Sequence, residues 1–249
     1  MQKIKSKSFV LIIPILIFFG ISFYIYNLIF TTLKFDLTKN KSSRATNYSY
    51  VISSSDNKIL SKLSRKFEIE NNQNQIPLFL KNAFVSSEDK RFYKHNGIDL
   101  ISISRAFFQN IKSGYVKEGG STITQQVARL LFLNNDLSFQ RKIKEIFLSL
   151  ILEFRYNKNQ ILKLYLNNIY LGSGAYGVNE ASQVYFGKLI EELTLSEIAL
   201  IAGLAPAPSI YSPYQNIEIA IKNRNKVLES MYVDGYISLA NKNKAIKEK

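Results

Sequence analysis

Gly119-Gly-Ser-Thr-Ile-Thr-Gln-Gln126 is the stretch on which the reading of this chain turns. Two glycines free the backbone just before a run of hydroxyl and amide side chains. Thr122, with Gln125 three residues on, has the spacing of a capping box. It predicts a helix that starts here and runs through Val127, Leu130, Leu131 and Leu133. A helix N-terminus offers unpaired N–H groups and the positive end of its dipole, which suits a phosphate. Most Gly-Gly-Ser-Thr stretches are loops that cap a helix, so this one gains meaning only from its neighbours.

The 249 residues give room for one sizeable domain or two small ones. A hydrophobic content of 46%, with 17 Phe and 15 Tyr, is ample for a core. With no cysteine, disulfides, thiolate metal sites and Cys nucleophiles are excluded together. A single histidine, His95, excludes a multi-histidine metal site, and no Gly-x-Ser-x-Gly elbow exists for a serine triad. Catalysis must lean on carboxylates. Lys+Arg 33 against Asp+Glu 19 gives a net charge of +14, which implies an anionic partner: nucleic acid, anionic lipid or a phosphorylated substrate.

Lys3, Lys5 and Lys7 precede an uncharged run from Phe9 to Phe30, 22 residues long. At about 1.5 Å per residue it makes roughly 33 Å of helix, enough to cross a bilayer core of about 30 Å. A cleaved signal peptide would have a shorter apolar region and small residues at the cut, so the run is read as an uncleaved transmembrane anchor. The short lysine-flanked N-terminus, residues 1–8, is expected in the cytoplasm, with the rest of the chain outside. This anchor makes nucleic acid a remote choice of partner.

Residues 31–75 read as a linker with two short strands. Tyr48–Ser53 and Lys58–Leu63 flank the turn chemistry of Ser54-Ser-Asp-Asn. Ser55-Asp-Asn-Lys58 matches Ser-x-x-Lys and Ser-Asp-Asn at once, but those belong to separate parts of a penicillin-binding serine site, and no Lys-Thr-Gly occurs. It is read as a hairpin turn.

Pro77 opens the main domain, and an apolar helix from there delivers Glu88 and Asp89, with His95-Asn96-Gly97 as its expected C-cap. Ile98 to Ile111 is amphipathic, either a core helix or one that dips into a membrane interface. Further on, Arg141, Lys142 and Glu145 stand at i, i+4 and i, i+3 spacing and share one helix face. They form either a plain surface ion pair or a basic cluster that binds phosphate around one carboxylate. The other side of that helix, Ile143, Ile146, Phe147, Leu150, Ile151 and Phe154, is expected in the core. Gly172-Ser-Gly-Ala-Tyr-Gly177 fits Gly-x-Gly-x-x-Gly literally, but a dinucleotide site needs a strand before it, and Gln160 to Asn167 reads as helix.

Taken in order, five motifs resemble those of the peptidoglycan glycosyltransferases, glycosyltransferase family 51. They are Glu88-Asp-x-x-Phe92-x-x-His95-x-Gly97, the Gly119–Gln126 stretch and Arg141-Lys-x-x-Glu145. Then come Lys158-x-x-Ile161-Leu-x-x-Tyr165-Leu-Asn167, with Tyr170-Leu-Gly172-x-Gly174-x-x-Gly177 and Tyr185-Phe-Gly-Lys188 after it. Last is Leu193-Thr-Leu-Ser-Glu197-x-Ala199-Leu-x-Ala-Gly203, followed by Pro208-x-x-Tyr211-Ser-Pro213. Where the family usually has Lys-Asn after Gln-Gln-x-x, this chain has Arg129-Leu130, which keeps the charge but not the geometry.

The resemblance implies a mainly α, lysozyme-like glycosyltransferase domain over 76–215 with a smaller membrane-facing lobe. One transmembrane helix (9–30) and a short β-hairpin precede it, and a C-terminal helical extension (216–249) follows. Ala220 to Ser238 is expected as an amphipathic helix similar to the segment that leads into the transpeptidase half of class A penicillin-binding proteins. The chain stops at Lys249, so the expectation is a polymerase without a transpeptidase domain, whether monofunctional or a shortened bifunctional protein.

The implied substrate is lipid II and the growing lipid-linked glycan at the bacterial inner membrane, with the catalytic domain on the periplasmic side. A separate transpeptidase and division or elongation proteins are possible partners. By motif position Glu88 is the base and Glu145 the second catalytic carboxylate. Glu145 either orients cations at the leaving group or binds a divalent metal, Mg or Mn. Asp89, Phe92, Ser121, Thr122, Gln125, Gln126, Arg129, Arg141, Lys142 and Tyr170 are the expected substrate-binding residues. His95, Gly97, Gly119 and Gly120 are expected to be structural. Two other readings stay open: a membrane-bound lytic transglycosylase or muramidase, and a catalytically impaired scaffold that binds lipid II.

Overall fold

The structure is a computed structural model that describes Gly20, Phe23 and residues 49–53, 59–64, 76–115, 119–133 and 138–248, with backbone alone for 49–53 and 59–64. Chain contacts divide it into two units, Met1–Glu70 and Asn71–Lys249. In the first, strands β1 (Ser49–Ser53) and β2 (Ile59–Ser64) pair antiparallel, Ser49 opposite Ser64, with an irregularity between Ile52 and Ser53. Their connecting turn, the expected linker around it and the expected span over 9–30 lie outside the described residues, save the helical Gly20 and Phe23. Among the described residues no helix is long and apolar enough to cross a membrane.

The second unit is helical among its described residues. Pro77 stands at the N-cap of α1 (Leu78–Glu88), where its missing N–H does no harm. Leu80, Ala83 and Phe84 turn inward at helical spacing, and the helix ends at Glu88, with Asp89 as its C-cap. A 3-10 turn over Phe92–Lys94 follows. His95-Asn96-Gly97 therefore does not cap α1 as expected; the chain has already left the helix six residues earlier.

Helix α2 (Leu100–Ser113) is capped by Asp99, whose side chain accepts from the Ile101 and Ser102 N–H groups. It ends at Gly114 in the left-handed region. Leu100, Ile101, Phe107, Phe108 and Ile111 all face outward, and only Ala106 is buried. This helix is not a core helix.

Helices α3 (Ile123–Phe132), α4 (Phe139–Arg155) and α5 (Lys158–Asn168) come next. They pack on one another, with Ile123, Val127, Leu152, Ile161 and Leu162 all buried between them. The capping box of Thr122 and Gln125 is present as the spacing predicts, and Leu133 takes the C-cap. In α4 the buried positions are Glu145, Leu148, Ser149 and Leu152. This reverses the expected faces: Phe154 is 92% and Leu150 41% exposed, while Ile143, Ile146, Phe147 and Ile151 are half-buried. The face that carries Glu145 is the one turned to α3, where Lys142 Nζ reaches Ser121 Oγ at 2.9 Å.

After α5 the chain makes a tight turn over Gly172–Gly177, closed by a bridge between Tyr170 and Tyr176. Gly177 sits at φ 81°, and a Cβ there would lie 2.5 Å from the Asn167 carbonyl oxygen. Only glycine fits so close to the end of α5. With a helix before it, this Gly-x-Gly-x-x-Gly run is a packing turn and not a nucleotide loop.

Helices α6 (Val178–Phe186), α7 (Leu195–Leu204), α8 (Pro208–Tyr211), α9 (Ile217–Val233) and α10 (Leu239–Lys247) complete the unit. Helix α7 is apolar on nearly every side and packs against α1 and α9. Segment 216–248 joins the same core through Val227, Leu228, Met231, Ile237 and Ala245. The single helix expected over Ala220–Ser238 stops at Val233, because Gly235 takes φ 78° and Ser238 caps α10 afresh.

Candidate active site

Six consecutive residues at the start of α3 each find a partner. Ser121 Oγ accepts from Lys142 Nζ at 2.9 Å. Thr122 Oγ1 donates to the Gly97 carbonyl at 2.6 Å and accepts the Gln125 N–H. The Ile123 N–H donates to Asp89 Oδ2 at 2.9 Å, placing a carboxylate at the positive end of α3. Thr124 Oγ1 donates to Glu153 Oε1 at 2.6 Å. Gln125 returns the capping bond to the Thr122 N–H at 2.9 Å. Gln126 Nε2 donates to Glu88 Oε2 at 2.9 Å. Both expected catalytic carboxylates are thus tied to one short piece of chain, Glu88 directly and Glu145 through Lys142.

The two acids sit in opposite surroundings. Glu88, half-buried at the end of α1, touches a neutral amide. Burial pushes its carboxyl above the ordinary carboxylate range; the Gln126 N–H pulls it back, Asp89 pushes it further up and Arg129 pulls it down. Glu145 is 1% exposed and carries a cation on each oxygen: Arg141 Nη1 at 2.6 Å and Lys142 Nζ in a short contact. One acid is left without a direct cationic partner among the described residues, and the other is neutralised twice.

Asp89, Phe92, Thr122 and Gln125, expected to touch substrate, are committed inside the protein instead. Asp89, 7% exposed, accepts from His95 Nε2 at 3.1 Å and 3.0 Å on its two oxygens as well as from Ile123. The Gly97 N–H donates to His95 Nδ1 at 3.2 Å, which assigns the ring proton to Nε2 and makes the histidine a donor to Asp89. Phe92 lies in the core with Lys158 Nζ 4.5 Å above its ring. Gly97 sits at φ 89°, where a Cβ would meet the Ser149 carbonyl oxygen at 3.0 Å. Gly120 lets the chain pass close to Ile103 and Ala106 of α2, while Gly119 faces open space.

Of the remaining expected residues, Arg129 acts electrostatically on Glu88, and Arg141 and Lys142 hold Glu145. Tyr170 pairs with Tyr176, ring centroids 4.9 Å apart. Sequence reasoning missed two groups. Tyr165, fully buried, donates its hydroxyl to Gln126 Oε1 at 3.3 Å. Glu153 accepts from Lys158 at 2.6 Å as well as from Thr124. The i, i+5 spacing of Glu153 and Lys158 is no helical signal, and nothing in sequence links Tyr165 to residue 126.

A divalent cation at Glu145 does not fit this arrangement. Magnesium needs a free carboxylate oxygen beside its phosphate ligands, and both oxygens of Glu145 already face protein cations. Among the described residues no group of three or more His, Cys, Asp or Glu side chains surrounds a common point.

Comparison with protein families matches residues 56–232 to the family described as Transglycosylase. The chain belongs to this family. Penicillin-binding protein 1A of Escherichia coli is 46% identical over 187 residues, 75% of this chain and 22% of that protein. Penicillin-binding protein 1A of Aquifex aeolicus is 50% identical over 164 residues, 66% of this chain and 23% of that protein. The transglycosylase chain thus spans less than a quarter of these relatives' length. A crystal structure of penicillin-binding protein 1A from Haemophilus influenzae aligns with it at 28% identity and a TM-score of 0.46, over 79% of this chain and 20% of that one.

Proposed function

We propose that this domain is a peptidoglycan glycosyltransferase that polymerises lipid II. In this reading a sugar 4-hydroxyl attacks the anomeric carbon of a growing chain with inversion, and the polyprenyl pyrophosphate leaves. The observation that carries it is the asymmetry of the two acids. Glu88, raised by burial and without a direct cation, suits a base that takes the hydroxyl proton. Glu145 is the fixed anion around which Arg141 and Lys142 are oriented, so that their positive charge serves the leaving pyrophosphate. Arg129, beside Glu88, supplies further positive charge. Ser121, held by Lys142, stands among the same cations.

The surface fits a lipid-borne substrate. The outward apolar residues of α2, and of α4 at Leu150 and Phe154, suit a lobe in contact with the bilayer. The net charge of +14 suits anionic headgroups. With the apolar run over 9–30 as an anchor, the domain would work on the outer side of a bacterial inner membrane, alongside whatever transpeptidase cross-links its product.

Purified full chain in detergent, incubated with lipid II, should yield glycan chains that lengthen with time. Glu88→Gln should yield none while still binding lipid II. Full polymerisation by Glu88→Gln removes the base from this mechanism. Shortening of preformed glycan without polymerisation would make the protein a lyase.

A further inference from the structure

The amide of Gln126 lies between two groups. Its nitrogen donates to Glu88 Oε2 at 2.9 Å, and its oxygen accepts the Tyr165 hydroxyl at 3.3 Å. A glutamine amide can occupy its site in either of two orientations, and its neighbours decide which. A carboxylate asks it for a donor. A neutral carboxylic acid, with a proton to give, asks it for an acceptor.

Tyr165 settles the choice. Its ring is fully buried in the core, 6.0 Å and edge-on from Phe84, which stands one helical turn before Glu88 on α1. Burial, and after it the charge of Glu88, push the phenol far above its ordinary value of 10.0, so it remains an O–H donor throughout the working range. A phenol can also accept an N–H, but turning the amide would leave the buried hydroxyl proton with no acceptor among the described residues, so donation to Oε1 keeps that oxygen turned away from Glu88.

We propose that Tyr165 is a positioning residue for the base: its hydroxyl locks the Gln126 amide in the orientation that donates to Glu88 and cannot accept from it. This rests on the reading of Glu88 as base. The lock withholds an acceptor from neutral Glu88 and leaves the carboxylate its donor, so the base is kept ready inside a site whose burial favours the neutral form. The other charged groups that bear on Glu88 are Asp89, which favours the neutral form, and Arg129, which favours the carboxylate; neither changes when the hydroxyl is removed.

The test is the pH dependence of lipid II polymerisation by the full chain in detergent. Tyr165→Phe keeps the ring and loses only the hydroxyl. It should move the acid limb of kcat/KM to higher pH by about half to one unit, the size expected for one hydrogen bond. Activity should then be about three- to tenfold lower below the limb and near wild type above it. A merely structural role would lower the whole profile without moving the limb, and that outcome overturns the proposal. Gln126→Leu should move the limb at least as far, and adding Tyr165→Phe to it should move the limb no further. If Tyr165→Phe does not fold, an unmoved limb in Gln126→Leu overturns the proposal by itself. Failure here is distinct from failure of Glu88 as base: that shows as activity in Glu88→Gln, whereas the relay fails with Glu88→Gln inactive and the limb in place.

Discussion

The backbone N–H of Ile123 points at Asp89 Oδ2 across 2.9 Å, so the residue beside the candidate base holds the first turn of α3. His95 Nε2 donates to both oxygens of the same carboxylate. In Asp89→Asn, one half of the amide must present N–H to a donor whichever way it turns. The substitution should destabilise the domain by about 2 kcal/mol, the scale of a hydrogen bond to a charged group. Chemical denaturation should show this, and polymerisation should fall with it.

Arg141 and Glu145 form a buried ion pair whose partner cation, Lys142, remains if the arginine is removed. Arg141→Met should cost up to about 3 kcal/mol, less than a fully orphaned carboxylate would. Arg141→Lys keeps the charge without the planar fork and should recover stability better than activity. A differential melt beside a polymerisation assay separates the two effects.

Glu88 links stability and activity with opposite signs. Its folded-state value lies above the ordinary 4.5, so its favourable contribution is complete below that value and is lost as pH rises through the raised one. In the proposed mechanism its service as a base appears over that same rise. Glu88→Gln, which has no charge to bury, should be inactive and yet more stable than wild type at neutral pH. Its unfolding midpoint should also change less than wild type's between pH 4 and neutrality. Equal midpoints for the two proteins across this range would contradict the burial of the charged form.

Two glycines of the Gly172–Gly177 turn offer a matched comparison. Both take positive φ, 78° at Gly174 and 81° at Gly177, but a Cβ at Gly174 meets open space and one at Gly177 lies 2.5 Å from the Asn167 carbonyl oxygen. Gly174→Ala should cost about 1–2 kcal/mol for the left-handed backbone alone. Gly177→Ala should cost at least about 3 kcal/mol, because α5 or the turn must move as well. Similar losses at the two positions would contradict the close approach.

The short-range features of this fold were legible in the sequence. Thr122 and Gln125 stand three apart and form the capping box that their spacing announces. The helix before Gly172 disposed of a nucleotide loop on order alone. Long-range polar choices were not legible. Glu88 and Asp89 are adjacent acids of like chemistry, and only the fold hands one to Gln126 and the other to His95 and Ile123. In α4 the apolar stripe was the natural candidate for the inner face, since periodicity shows that a helix has two sides without saying which is covered. The covered face carries Glu145 and Ser149 beside Leu148 and Leu152.

Residues 121–126 hold the segments of Glu88, Asp89, Gly97, Lys142 and Glu153 at once. Fraying of that single turn would release both acids together, while the tightly packed α1, α7 and α9 stayed folded. A substitution that breaks this turn should therefore silence the protein at both acids while circular dichroism still records a helical molecule.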